Sequence, residues 1–476
     1  IPGLPAGSWV AQIKASNKNK GEALLIANDY RRFNYTPYAY RTKDYGKTWT
    51  RIVDGNDVKS YTLSIVEDPM NANLLFLGTD DGLYVTLDAG NKWIKWTSGF
   101  PTVSTKDLVI QPREHDLVIG TFGRAAWVLD DIRPLRAMAN GNVLNKNLQL
   151  FNPPTAYQAA YQQPTGSRFG GDALYNGENR RFGAMISYYI NRPVVKKKEE
   201  ESKGKKKRRG KKKKEEPKVK KEEKPKIKWD SIKLEIFDGT RLIRTLKRKA
   251  PKENGIHRTY WFMDEKGVAR PSRRIRPQRN EPGGVGVKPG TYRLKMSFGN
   301  QTSESTIKVE FDPRLKMSTA AINEIYNASK EMEKDQELMA NVIKQLVESK
   351  NTANGFKSKL SKEDKKKYKD QIKASSDIVK KIDKVIAVFL GKIDRRQGIV
   401  RNPEVTVNQR FFSARRYVGS RFGNLTSTER QLIKQYKDAL NDAVKQTNDF
   451  FGKDWKDYKT KVESIMISPF KEVKTF

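Results

Sequence analysis

The chain has 476 residues, 31% of them charged and 36% hydrophobic, with a formal net charge of +39. Such a length exceeds one ordinary core and implies about two to four domains, with part of the sequence left as solvated face or linker. Cysteine is absent and histidine occurs only as His115 and His257, which excludes disulfides, thiolate chemistry and zinc sites built from Cys or several His; no metal site or cofactor is called for.

The first 135 residues repeat. Thr42-Lys43-Asp44-Tyr45-Gly46-Lys47-Thr48-Trp49 returns as Thr86-Leu87-Asp88-Ala89-Gly90-Asn91-Lys92-Trp93, and an apolar strand, Leu24-Leu25-Ile26 or Leu74-Leu75-Phe76-Leu77, precedes each copy. A third unit aligns Leu117-Val118-Ile119-Gly120-Thr121 with Leu75 to Thr79 and carries Asp130 at the position of Asp88, without the Gly and Trp. Each unit opens on another strand-like stretch: Trp9 to Ile13, Tyr61 to Val66 and Asp107 to Ile110. Several short strands in a period of about 40–45 residues predict propeller blades. In the motif S/T-x-D-x-G-x-T/K-W, an Asp box, the carboxylate accepts backbone N–H bonds across a hairpin, Gly takes a positive φ, and Trp packs between blades. Thr42, Asp44, Gly46 and Trp49, with Thr86, Asp88, Gly90 and Trp93, are therefore structural rather than catalytic. A closed ring needs at least about four blades. The sequence is expected to be the C-terminal part of a longer protein, leaving apolar surface open around Val10 and Leu25.

These repeats, with Gly78-Thr79-Asp80-Asp81-Gly82-Leu83-Tyr84-Val85, Gly120-Thr121-Phe122-Gly123-Arg124 and Trp127 to Leu135, resemble the closing blades of bacterial sortilin-type propeller proteins, often labelled glycosyl-hydrolase-like. Ala125 stands where that family usually has Gly. The resemblance implies a large propeller whose earlier blades precede this sequence, followed by a sandwich module and a helical bundle.

Residues 136–169, through Leu148 to Pro154, read as a connector. Strands then follow at Met185 to Ile190, Ile232 to Phe237, Arg241 to Leu246, Arg258 to Met263, Gly290 to Phe298 and Ser305 to Phe311, predicting an immunoglobulin-like β-sandwich over 170–313. A Lys-rich tract, 196–228, interrupts it after the first strand; punctuated by Glu and lacking an aromatic ring that could stack on a base, it is expected to be a disordered insertion. Lys205-Lys206-Lys207-Arg208-Arg209 is its candidate polyanion-binding run, and the missing aromatics disfavour nucleic acid.

From Ser318 the apolar period becomes helical, predicting a helical bundle over 314–476. Ile322 to Leu346 marks a helix of about 30 residues. Ser361 with Asp364 suggests the capped start of a second, striped by Ile372, Val379, Ile382, Ile386 and Phe389. Thr426 and Glu429 form a capping box opening a third, lined by Leu432, Tyr436, Leu440 and Phe450, and a short fourth segment runs from Trp455 to Ile465. Arg401 to Phe422, where Phe411, Phe412, Tyr417 and Phe422 alternate with arginines, fits none of these.

The fold class is thus multidomain β plus α: partial propeller, sandwich and helical bundle. The leading function is a non-catalytic binding scaffold of the bacterial periplasm, outer membrane surface or secreted fraction, its propeller face taking a protein, peptide or glycan. The protein partner would be the rest of the propeller or a complex subunit. The first alternative is a propeller-type glycoside hydrolase with its active site largely in the preceding blades; it needs two carboxylates about 5–9 Å apart, for which Asp80, Asp81 and Asp131 are the candidates. The second alternative is polyanion binding through the Lys-rich tract. No run of apolar residues reaches the roughly 20 of a transmembrane helix.

Overall fold

In the structure, a computed structural model, residues 1–159, 180–193, 228–278, 280–393 and 404–465 are described. Three antiparallel sheets come first. The first joins β1 (Trp9–Ala15), β2 (Ala23–Asp29), β3 (Asn34–Thr42) and β4 (Thr50–Arg51) in chain order. The second joins β5 (Thr62–Asp68), β6 (Asn71–Thr79), β7 (Gly82–Thr86) and β8 (Ile94–Lys95), and the third β9 (Thr105–Gln111), β10 (Asp116–Thr121) and β11 (Ala126–Leu129).

The sheets stack face to face as propeller blades do. Leu24, Ile26, Ala39, Ile65, Leu77 and Trp93 form the core between the first and second. Phe76, Leu83, Val85, Leu108, Leu117 and Ile119 form the core between the second and third. Because β6 is covered on both faces, Leu74 to Leu77 are all fully buried, which is why the sequence there is a continuous apolar run and not an alternation. The first strands adjoin one another: Gln12 Oε1 accepts the Ile65 N–H at 2.9 Å, and Lys14 Nζ donates to Leu108 O at 3.1 Å. Sheet contact is closest at Gly78, where a Cβ would lie 2.6 Å from Thr105 O and 2.3 Å from Ser64 Oγ, so only glycine fits. The equivalent step between the first two sheets is made by Asn28, whose Nδ2 donates to Thr62 O at 3.2 Å.

The outward face of the first sheet is only partly open. Val10 and Ile13 are 42% and 61% exposed, but Leu25 is 3% exposed, because Leu4 and Trp49 pack over the patch it forms with Ala27, Tyr38 and Tyr40. The expectation of open apolar surface therefore holds at Val10 and fails at Leu25. After β11 the chain turns into α1 (Arg133–Ala139), whose Leu135 and Ala139 extend the core between the second and third sheets.

A second β region follows. β12 (Leu148–Leu150), β14 (Ala184–Ile190) and β17 (Gly255–Trp261) form one sheet in the order β12-β14-β17. β13 (Ala156–Gln158), β15 (Ser231–Asp238), β16 (Arg241–Lys249), β20 (Gly290–Phe298) and β21 (Gln301–Phe311) form another, in the order β13-β21-β20-β15-β16. β18 (Asp264–Lys266) and β19 (Gly283–Gly286) make a separate ribbon. Both larger sheets contribute to one core, with Ile186 and Trp261 from the first and Ile236, Leu294, Met296 and Ile307 from the second. β12 and β13 lie in the stretch read from sequence as connector; three residues each, they are too short to show a period. The Lys-rich tract, with Lys205 to Arg209, lies outside the described residues apart from its last residue, Lys228.

The remaining chain is helical. α2 (Thr319–Glu363), α3 (Lys369–Leu390), α4 (Val407–Gly419), α5 (Ser427–Phe450) and α6 (Lys456–Glu463) share a core that includes Met339, Ile343, Ile382, Phe389, Phe411 and Tyr436. α2 runs 45 residues, longer than expected. Ser361 does not cap a new helix: its Oγ donates to Lys357 O within α2, and Asp364 ends that helix, accepting the N–H groups of Lys366 and Lys367 at 2.9 Å. The Thr426 box does open α5, with Thr426 N donating to Glu429 Oε2 at 2.7 Å. α6 continues α5 through a π-helical turn at Phe451–Trp455. The stretch that fitted no element from sequence contains α4, started by reciprocal Thr406–Gln409 bonds of 3.0 and 3.2 Å. No described helix is long and apolar enough to cross a membrane.

Candidate functional site

The two Asp boxes occupy equivalent turns at one end of the first two sheets. Asp44 Oδ1 accepts from Thr42 Oγ1 at 2.9 Å and from Thr48 N at 2.8 Å; Asp88 Oδ1 accepts from Thr86 Oγ1 at 2.7 Å and from Lys92 N at 2.9 Å. Gly46 and Gly90 have positive φ, and so do the residues before them, Tyr45 and Ala89, at 62° and 61°. Trp93 is 4% exposed, lies between the first two sheets and donates to Ile52 O at 2.7 Å. Trp49 is half-buried, on the outward face of the first sheet, and donates to Gly46 O.

Thr48, through its hydroxyl and then its amide, holds the Asp44 carboxyl down at about 2, below its ordinary 3.8. A depressed carboxyl stabilises the fold above pH 3.8, and that contribution disappears as pH falls through about 2. Thr48→Ala is expected to move the Asp44 titration midpoint upward, read by carboxyl-carbon NMR. An unmoved midpoint would show that the backbone amides alone set it.

In the third unit the Asp-box position does something else. Asp130 and Asp116 bind Arg180 at 3.2 and 2.8 Å, Arg258 donates to Asp130 O, and Asp131 is held by Arg133 at 2.5 Å. The third box thus ties the propeller-like sheets to the following β region.

The opposite end of the three sheets carries the β2–β3, β6–β7 and β10–β11 connections and the starts of β1, β5 and β9. Several exposed aromatics lie here. Tyr30 stacks on Tyr61 with centroids 4.6 Å apart and planes 17° apart, and Tyr35 tilts against Tyr61 at 6.1 Å. The Arg31 guanidinium bridges the rings of Trp9 and Tyr30, 5.7 Å from each. Phe33, in a left-handed conformation at φ 62°, is 84% exposed, and Trp9 and Tyr35 are 62% and 55% exposed. Burial first, then the neighbouring Asp80 carboxylate, push the Tyr61 hydroxyl up to about 12. The outcome is an aromatic ledge with Arg31 and Asp80 as its polar edges. Sequence reasoning missed it, although the density of aromatics from Tyr30 to Tyr40 marks it.

The three candidate hydrolytic carboxylates do not come together. Asp80 and Asp81 sit at the aromatic end, whereas Asp131 follows β11 at the Asp-box end, beside α1, where Arg136 reaches Asp68 at 2.6 Å. The seven residues of β5, from Thr62 to Asp68, span about 20 Å between those two ends. Asp81 is committed to Thr79, Tyr84 and Lys95, the last at 2.8 Å. Burial alone would raise its pKa, but the Lys95 and Thr79 bonds outweigh that and hold it ionised.

No curated protein matches the chain. Similar solved structures include the GH74 enzyme of Niastella koreensis, with 20% identity over 26% of this chain and 21% of that one and a TM-score of 0.23. Another is the GH74 xyloglucanase of Xanthomonas campestris, with 12% identity over 67% of this chain and 40% of that one and a TM-score of 0.22. The chain therefore spans less than half the length of either protein. Residues 38–131, which run from β3 through the third sheet, match the profile of the Sortilin-Vps10 family, described as sortilin, neurotensin receptor 3.

Proposed function

We propose that this chain is a non-catalytic binding scaffold of the bacterial cell envelope or secreted fraction, whose propeller end takes a protein, peptide or glycan. The observation that carries this reading is the ledge of Trp9, Arg31, Tyr30, Tyr61 and Tyr35, with Phe33 projecting 84% exposed beside it. Clustered aromatic rings exposed to water are typical anchors of binding surfaces. The same reading takes 1–135 as propeller blades, the next β region as an immunoglobulin-like sandwich and 314–476 as a helical bundle. The inclusion of β12 extends the sandwich back to Leu148 and shortens the connector.

Phe33→Ala with Tyr35→Ala in the full chain is the test, using affinity electrophoresis in neutral polysaccharides and a peptide array. Retardation or capture by the unaltered protein should weaken on the order of tenfold in the double variant, with unchanged melting temperature. Undiminished binding by the double variant would place the ligand elsewhere.

A further inference from the structure

Between α4 and the loop that links β18 to β19 opens a cleft of about 750 Å³, walled by Arg270, Phe412, Ser413, Arg415, Arg416 and Ser420. Arg415 is half-buried, and its Nη1 donates to Gln336 Oε1 at 2.9 Å. Gln336 is 4% exposed, and its amide nitrogen donates to Ala269 O at 3.2 Å. One buried glutamine thus orients the Arg415 guanidinium and anchors the backbone that presents Arg270. Burial first, and the Arg270 charge second, lower the Arg415 pKa from its ordinary value.

Several buried or half-buried arginines elsewhere among the described residues are matched by carboxylates, whereas half-buried Arg192, Arg273 and Arg421 donate to backbone carbonyls. Arg41 lies 3.1 Å from Glu67, Arg136 2.6 Å from Asp68, Arg180 2.8 Å from Asp116, and Arg244 3.5 Å from Asp264. At the α4 cleft no described carboxylate forms an ion pair with Arg270, Arg415 or Arg416, and Glu333, whose charge reaches Arg415, is bound by Lys330. The Arg270 charge repels that of Arg415, and the Glu333 charge offsets this repulsion only in part. An oxyanion between them removes that repulsion and fills the remaining N–H groups of the planar forks.

We propose that Arg270 and Arg415, with Arg416 and Ser413 at the rim, form a binding site for an oxyanion: a sulfate, phosphate or carboxylate group, free or carried on a larger ligand. The site shares no residue with the aromatic ledge or with the Lys-rich tract. Phe412, 37% exposed, offers a ring face to whatever carries the group.

The test uses the full chain at constant ionic strength, with chloride as reference and calorimetric titration of inorganic sulfate, inorganic phosphate, a sulfated hexasaccharide and an oligouronate. Saturable binding of at least one probe is expected, weakened on the order of tenfold or more by Arg270→Ala and by Arg415→Lys. Arg415→Lys keeps the charge and loses the fork. Arg270→Ala alters an exposed side chain outside α4, so it preserves the fold even if Arg415→Lys does not. Tighter binding of an oligosaccharide than of its inorganic anion would identify a substituent on a larger ligand, and equal binding a free ion. The proposal is overturned if no probe binds saturably, or if Arg270→Ala leaves binding unchanged, the result expected were Arg415 and Arg416 only complementing the carbonyl end of α4.

Discussion

Replacing Trp93 by alanine is expected to destabilise the propeller-like region by about 3–5 kcal/mol, the range for truncating a buried aromatic. Trp93 is 4% exposed among Leu24, Ile26, Val53, Leu75 and Tyr84, so its loss opens a cavity between the first two sheets. It also leaves Ile52 O without the indole N–H that reaches it at 2.7 Å. The same change at Trp49 should cost roughly 1–2 kcal/mol, since that ring is half-buried on one sheet and its donor bond is local. Urea denaturation of the two variants measures the difference. Equal losses would mean that Trp49 is covered in solution by something that matches the second sheet, and a negligible loss at Trp93 would mean that the two sheets do not pack through it.

Glu265→Ala is expected to cost about 3 kcal/mol, the low end of the range for breaking a buried ion pair, because Arg241 and Lys330 keep access to water. Glu265 is 5% exposed on β18 and accepts from Arg241 at 3.1 Å, Tyr326 OH at 2.7 Å and Lys330 at 3.3 Å. Tyr326 and Lys330 belong to α2, so this carboxylate joins the second β region to the helices. Burial alone would raise its pKa, but the Arg241 and Tyr326 hydrogen bonds and the Lys330 charge outweigh that and hold it below its ordinary 4.5. The sign follows: the stabilisation is present above pH 4.5 and is lost as pH falls through the lower folded value. Acid titration of the unaltered chain should loosen the junction between β18 and α2 before the cores, read as amide exchange in Lys266 and Ile325 to Lys330. Glu265→Gln should remove that pH dependence while retaining part of the stability. Simultaneous loss of protection in both cores and junction would show that Glu265 does not set the acid limit.

What the sequence determined by itself was local and periodic. The two Asp boxes were legible because each closes within eight residues, Thr42 to Trp49 and Thr86 to Trp93, and their hydrogen bonds run between neighbours in the chain. β15 and β20 were legible because one face is buried and alternation survives, and α5 because Thr426 and Glu429 announce it. The tertiary structure alone decided what depends on distant partners. β12 and β13 are strands only because β14 and β21 pair with them. Ser361 carries the residue type of a cap yet lies within α2, since the chain has not turned there. Identical tryptophans part ways because only Trp93 meets a second sheet. The aromatic ledge draws on Trp9, Tyr30 and Tyr61, and the α4 cleft on Arg270, Gln336 and Arg415. Neither spacing is a period of any helix or strand, so each site exists only once the fold has brought its residues together.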